Sequence, residues 1–225
     1  MIDKLLQKRR YVKEFYKEAD ISKELIDSLL EKTWKVTPSK NNFMPYKAHV
    51  LGPEHVEYKE KVFLNCLQNE SDGDKVDNLM NKRYAKNPPN YANILSCSYL
   101  LIFTLRPEDK PNELQKFLIN RGHNYEAVNE KKINKITPGA SLEVGLFMDC
   151  FSALCLHHGI DVSFVGCFSK DLSDWRDLPF ITHKPLSIMP IGKGKIYRDE
   201  EEAVKNGFDH KPDYNRIINF VDAKS

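Results

Sequence analysis

Ile26, Leu29, Leu30, Thr33 and Trp34 fall at helical spacing behind Ser22. Ser22 suits an N-cap, and the helix should end before Pro38, whose ring disfavours helical geometry in the residue ahead of it. Residues 48–51 read as a short strand closed by Gly52-Pro53, and residues 56–67 as a second helix. Residues 69–93 are polar, rich in Asn and Asp, and contain Pro88-Pro89, so they read mostly as loop. The continuous apolar run 99–105 marks a central strand, because only a strand covered on both faces dispenses with polar positions. Residues 106–135 are strongly charged and are expected to form an excursion or lid outside the core. The clearest helix covers residues 141–158, with Gly159 placed to end it. Strands follow at 161–165 and 186–191, with a short helix between them at 172–178. Residues 196–225 are mainly polar, with a late apolar run at Ile217, Ile218, Phe220 and Val221 suited to packing on a partner subunit.

A chain of 225 residues can bury a sizeable core. No Pro/Gly/Ser-rich linker divides it, so residues 1–225 read as one domain. Lys and Arg number 34 against 32 for Asp and Glu. The balance gives no general attraction to nucleic acid or to an anionic membrane, and an anion site has to come from local clustering. The five cysteines, Cys66, Cys97, Cys150, Cys155 and Cys167, are widely spaced and form no C-x-x-C pair. That excludes the usual spacing of a structural zinc site and fits packed, reduced thiols in a cytoplasm, Cys167 among them. Residues 1–10 lack the apolar core of a secretory leader. The apolar stretch 142–156 carries Glu143 and Asp149 and reads as a buried helix rather than a membrane span.

Two stretches carry candidate chemistry. Lys8, Arg9, Arg10 and Lys13 cluster at the end of the first helical segment. Such a cluster is either a solvated basic edge or a phosphate clamp, in which arginine grips with paired hydrogen bonds and lysine acts as a mobile point charge. Pro38-Ser39-Lys40-Asn41-Asn42 is either a plain turn or a turn whose Ser and Asn side chains bind a polar ring edge or a sugar-like hydroxyl. His157-His158 ends a helix, where it suits the negative end of the dipole better than a metal. No Walker A, H-E-x-x-H, G-x-S-x-G or strand-linked G-x-G-x-x-G motif occurs.

The order and separation of these stretches resemble the nitroreductase family. Arg9-Arg10-Tyr11-Val12-Lys13-Glu14-Phe15 is similar to its R-R-S-x-R/K-x-F opening. Pro38-Ser39-Lys40-Asn41-Asn42-Phe43-Met44-Pro45-Tyr46 is similar to its P-S-x-x-N-x-Q-P-W/Y turn. Ser141-Leu142-Glu143-Val144-Gly145 looks like its S-x-E-x-G helix, and Pro190-Ile191-Gly192 like its late strand end. Tyr11 stands where the family usually has Ser, and Met44 where it has Gln. The resemblance implies an α+β fold, a mainly antiparallel sheet flanked by helices, in an intertwined homodimer with FMN at the interface. Arg9 is then expected at the FMN phosphate, Arg10 and Tyr11 along the ribityl chain, and Lys13 at the N1/O2 edge of the ring. Pro38, Ser39, Asn41 and Asn42 belong to the wall supplied by the second subunit. Asn90 falls at the pyrimidine edge, and Val165, Gly166 and Cys167 where a backbone N–H meets flavin N5. Lys211 and Arg216 are the C-terminal candidates for the phosphate. The implied activity is hydride transfer from NAD(P)H through the flavin to an electron-poor small molecule, a nitroaromatic or quinone. Specialised branches of the family, dehalogenating or flavin-cleaving, and a flavin-binding module without turnover are the alternatives. A nucleic-acid binder would need a second basic patch with interleaved aromatics, which the chain lacks.

Overall fold

The computed structural model describes residues 9–17, 19–70, 91–107, 110–123, 130–198 and 217, with backbone only at 41, 69–70 and 130–136. Asn90, Lys211 and Arg216 lie outside the described residues, as does the late apolar patch apart from Ile217. The elements are, in chain order, β1 (Val12–Phe15), α1 (Lys23–Val36), a 3-10 turn (Lys40–Asn42), β2 (Tyr46–Leu51), α2 (Val56–Glu70) and α3 (Ala92–Ser96). Then come β3 (Tyr99–Leu105), α4 (Glu113–Ile119), α5 (Glu130–His157), β4 (Asp161–Val162), a 3-10 turn (Leu172–Trp175), β5 (Pro185–Gly192) and β6 (Gly194–Tyr197).

Four strands form an antiparallel sheet in the order β2-β3-β5-β4. All seven residues of β3 are buried. The pleat sends Leu100 and Ile102 to one face and Tyr99, Leu101 and Phe103 to the other. On the first face lie Val62, Phe63, Cys66 and Leu67 of α2, with Phe168 and Trp175. On the second lie Ile26 and Leu29 of α1 and Val144, Phe147, Met148, Phe151 and Cys155 of α5. Each large apolar side chain so buried contributes about 1.5–3 kcal/mol, and the sheet is the plane that separates the two clusters.

A second, two-stranded antiparallel sheet joins β1 to β6. Neither strand was expected: each is only four residues long, and Val-Lys-Glu-Phe carries too little alternation to mark a strand. Arg9 and Arg10 sit in irregular chain leading into β1; the helical segment expected ahead of them lies outside the described residues. α3 and the β4–β5 connection hold β1 in place. The Val12 carbonyl accepts from Asn93 Nδ2 at 3.0 Å and from Ser163 Oγ at 3.2 Å, and the Phe15 N–H donates to Ser96 Oγ at 3.0 Å. Gly192 is required here, since a Cβ on it would lie 2.7 Å from the Phe15 ring.

α1 matches the expected helix, with Ser22 Oγ accepting from the Leu25 N–H. α5 does not begin at residue 141 but at Glu130, so it starts inside the charged excursion and runs through Pro138. Proline removes one intrahelical hydrogen bond, and the helix continues past Pro138 without it. α4 is amphipathic but buries nothing: Leu114, Phe117 and Ile119 are exposed. Residues 137–157 are long and apolar enough by composition to cross a bilayer. One face is accounted for by the sheet. Leu142 and Leu146 on another remain exposed, so the helix is buried on one side only.

Cys66, Cys97 and Cys155 are buried, Cys150 is half-buried, and Cys167 is exposed rather than packed, because it follows the last residue bridged to β5. Burial pushes the Cys97 thiol up to about 11, with nearby Lys59 pulling the other way, and pushes Cys155 up as well. Lys59 is itself buried, and its Nζ donates to the Cys97 and Ser98 carbonyls at 3.0 Å each. It thereby satisfies carbonyls that α3 leaves free at its end.

His49 on β2 supplies a test of the first core face. Its Nε2 lies 3.0 Å from Thr104 Oγ1, and its ring lies 5.5 Å from that of Phe180. Burial, then the charges of Lys47 and His183, push its pKa down to about 4. An unfolded chain takes up this proton near pH 6.5 and the folded chain refuses it until about pH 4. The full stability is present above pH 6.5 and declines as the pH falls toward 4. His49→Gln should flatten that acid limb in urea unfolding followed from pH 7.5 to 4. An unchanged acid limb would show that His49 is not its source.

Candidate functional site

Arg9 and Arg10 enter from the chain ahead of β1, which the Asn93, Ser96 and Ser163 bonds fix from behind. With Tyr11 they line a cavity of about 580 Å³ whose other wall is Val162, Ser163 and Phe164 of the chain at and after β4, and whose floor includes Asp149 of α5. A second cavity of about 330 Å³ adjoins it, lined by Ser141, Val144, Gly145, Met148 and Asp149 of α5 and by Phe164, Leu186 and Ser187. Arg9 lines both. Its Nη1 is 3.2 Å from Asp149 Oδ1, and its guanidinium lies 4.4 Å from the centre of the Phe164 ring. The Arg10 guanidinium sits 5.8 Å from the Tyr197 ring, and Arg198 sits 4.3 Å from the Tyr11 ring. Three arginines thus meet three aromatic faces at one rim, an arrangement that favours anions.

Gly145 is conspicuous within α5. A helical glycine is less stable than alanine by about 0.5–1 kcal/mol. A Cβ at Gly145 would meet no atom within 4 Å, so tight helix packing does not explain it. It lines the smaller cavity beside Val144 and Met148, where any side chain would take up space. Apolar walls at one end and guanidinium groups at the other suit a flat aromatic ligand carrying an anionic tail, and FMN is such a molecule.

The turn at residues 38–45 is locally strained. Asn42 has φ +50° and Met44 φ +46°, and for methionine the left-handed region is costly. Ser39 Oγ accepts the Met44 N–H at 2.8 Å, while Arg106 Nε donates to the Met44 carbonyl at 3.0 Å and Arg106 Nη2 to that of Phe43. The Lys40 N–H donates to Glu143 Oε1 at 3.2 Å, which ties this turn to α5. Glu143 Oε2 and the Tyr46 hydroxyl are buried without a hydrogen-bond partner. Burial, then Glu143 and Cys150, raises the Tyr46 hydroxyl to about 12.

The residues singled out from the sequence are therefore distributed unevenly. Arg9, Arg10 and Tyr11 converge on the cavity. Lys13 follows on β1, half-buried and outside the lining of either cavity. Pro38, Ser39 and Asn42 line neither cavity, and their turn is tied to α5 through the Lys40 N–H and Glu143; of Asn41 only the backbone is described. Val165 corrects an expectation. Its N–H donates to the Ile188 carbonyl at 2.9 Å and its side chain is in the core, so only the exposed Gly166 and Cys167 remain as amides for a ligand in that stretch. Asp149, Phe164, Met148 and Ser163 were missed. The signal for Asp149 and Met148 lay in the spacing 141, 144, 145, 148, 149, one face of a helix already marked by Gly145.

The chain shares its fold with several solved structures. A provisionally named NAD(P)H:FMN oxidoreductase from Staphylococcus epidermidis is 17% identical with a TM-score of 0.64, covering 98% of this chain and 96% of that one. A provisionally named nitroreductase from Exiguobacterium sibiricum, solved in complex with FMN, is 14% identical with a TM-score of 0.62, covering 98% and 97%. A BluB-like flavoprotein from Clostridium difficile is 13% identical with a TM-score of 0.60, covering 99% of each. No curated protein matches the chain by sequence. The sequence pattern of the Nitroreductase family matches residues 6–193, across the arginine segment, the strained turn, α5 and the Pro190-Ile191-Gly192 strand end, and the chain belongs to that family.

Proposed function

We propose that the chain is an FMN-dependent oxidoreductase that takes hydride from NAD(P)H and delivers it, in ping-pong order, to an electron-poor acceptor such as a nitroaromatic or a quinone. The observation that carries this reading is the pairing of Arg9 and Arg10 with a cavity lined by Val144, Gly145, Met148, Phe164 and Leu186 in a chain of this family. When bound, FMN would supply the electron chemistry at N5. Arg9 holds the phosphate, and Arg10 and Tyr11 flank the ribityl chain. Lys13 keeps a positive charge near the N1/O2 edge, and the Gly166 and Cys167 amides are the donors for N5. Asn90, Lys211 and Arg216 complete the set. Residues 106–135 act as the lid.

The same geometry supports a homodimer. Within one chain the 38–42 turn meets α5 at Glu143, while the Arg9 cavities are lined by Ser141, Val144, Gly145, Met148 and Asp149, which fits Pro38, Ser39, Asn41 and Asn42 reaching a flavin from a second subunit. Trp34 and Val36 at the end of α1 and Leu142 and Leu146 on α5 are exposed apolar residues that such a subunit would cover. The reduced thiols fit a cytoplasmic enzyme. Light scattering should give a dimer; a stable FMN-loaded monomer would refute it.

The purified protein should be yellow and release FMN on denaturation. A folded protein that does not take up FMN at micromolar concentration would remove the reading. Arg9→Ala should weaken FMN binding by about 1.5–3 kcal/mol, the value of a charge-assisted hydrogen bond, and leave the midpoint potential nearly unchanged, since the phosphate is the same in both redox states. Lys13→Ala should lower the potential, because it removes charge that favours the reduced ring; about 1.4 kcal/mol corresponds to roughly 30 mV. A dye-equilibration titration of both variants decides between these roles. Gly145→Ala should raise the stability of the flavin-free protein by about 0.5–1 kcal/mol and yet weaken FMN binding. Unfolding curves and a flavin titration on the same sample test it, and unchanged FMN affinity would place the ring elsewhere.

A further inference from the structure

Arg9, Asp149 and Phe164 are the three residues common to both cavities. The Arg9 guanidinium rests on the Phe164 ring and is bound to Asp149 across the groove, so the three side chains form a bar between the larger space and the smaller one. The Asp149 side chain is 70% exposed, and it lines both cavities. It is a carboxylate placed beside the cation that the flavin reading assigns to a phosphate.

We propose that Asp149 is a specificity-determining residue of the cofactor site, a built-in competitor that holds Arg9 and opposes the phosphate end of the flavin nucleotide. The proposal rests on the flavin reading given above. A phosphate monoester carries close to two negative charges at pH 7. To reach Arg9 it must displace the Asp149 carboxylate and then remain next to it. An ion pair this exposed is weak, so displacement is feasible. The repulsion afterwards is modest for the same reason. Both effects act on the phosphate alone. A flavin without a phosphate leaves the bar in place and is indifferent to the charge at residue 149. The site therefore draws less affinity from the phosphate than its arginines would otherwise give, and its preference for FMN over riboflavin is compressed.

The opposite role is also physically coherent, because a carboxylate can pre-organise an arginine for an incoming ligand. The two roles differ in sign. Flavin-free full-length protein should be titrated with FMN and, separately, with riboflavin, following quenching of flavin fluorescence, for the wild type, Asp149→Asn and Asp149→Glu. Asp149→Asn should bind FMN about three- to tenfold more tightly and riboflavin unchanged, with the FMN gain shrinking as monovalent salt is added. Asp149→Glu keeps the charge and should keep the wild-type ratio of the two affinities. Melting temperatures of the flavin-free variants check that each is folded, as expected for so exposed a side chain. Weaker FMN binding by Asp149→Asn, an unchanged ratio, or an equal shift for both flavins overturns the competitor role while leaving the flavin site standing. A wild-type protein that binds neither flavin overturns the flavin site, and the competitor role with it.

Discussion

β3 has no solvent face, and the rest of the molecule follows from that constraint. A strand buried on both sides needs a cover on each, and here one cover is α2 while the other is α1 with α5. Its flanking strands must then also present apolar residues to both layers, which fixes the register with β2 and β5, since a slip of one residue would exchange the two cores. α5 can be so apolar because it closes the second layer. Its remaining surface is what the cavities and the strained turn use.

The site is built where the large sheet ends and the small one begins. A four-residue strand paired with a single neighbour is marginal by itself. β1 is nevertheless placed firmly, because its backbone groups are claimed by side chains from two other segments: Asn93 and Ser96 of α3, and Ser163 after β4. The same connection that supplies Ser163 supplies Phe164 to the cavity and Val165 to the core. Three consecutive residues thus couple the arginine rim, the ligand wall and the packed interior. Glu143 does similar work on α5, reaching the strained turn from a helix whose adjacent face lines the cavity.

Much of this could be read along the chain. Strand β3 and helix α1 announced themselves through continuous or 3.6-period apolar patterns, and those signals are strong because burial on that scale has few alternatives. Arg9, Arg10 and the turn containing Ser39 and Asn42 were legible as polar residues in a family order. β1 and β6 were not: β1 is held by hydrogen bonds to residues 81 and 151 positions away, and β6 by its pairing with β1, which no local pattern records. Helix α5 was read only from residue 141, because its first turns lie in the charged stretch that carries little apolar periodicity. Phe164 was invisible for another reason. An aromatic next to a short strand is ordinary in sequence and becomes informative only once folding sets it against Arg9.

The placement of the thiols bears on chemical self-protection. Quinones are electrophiles that add to thiolates, and the thiolate rather than the thiol is the reactive form. Burial keeps Cys97 and Cys155 protonated as well as shielded, and Cys66 lies fully inside the α2 layer. An electrophile of this kind would meet Cys167, and at most the half-buried Cys150, while the interior thiols stay beyond the reach of alkylation.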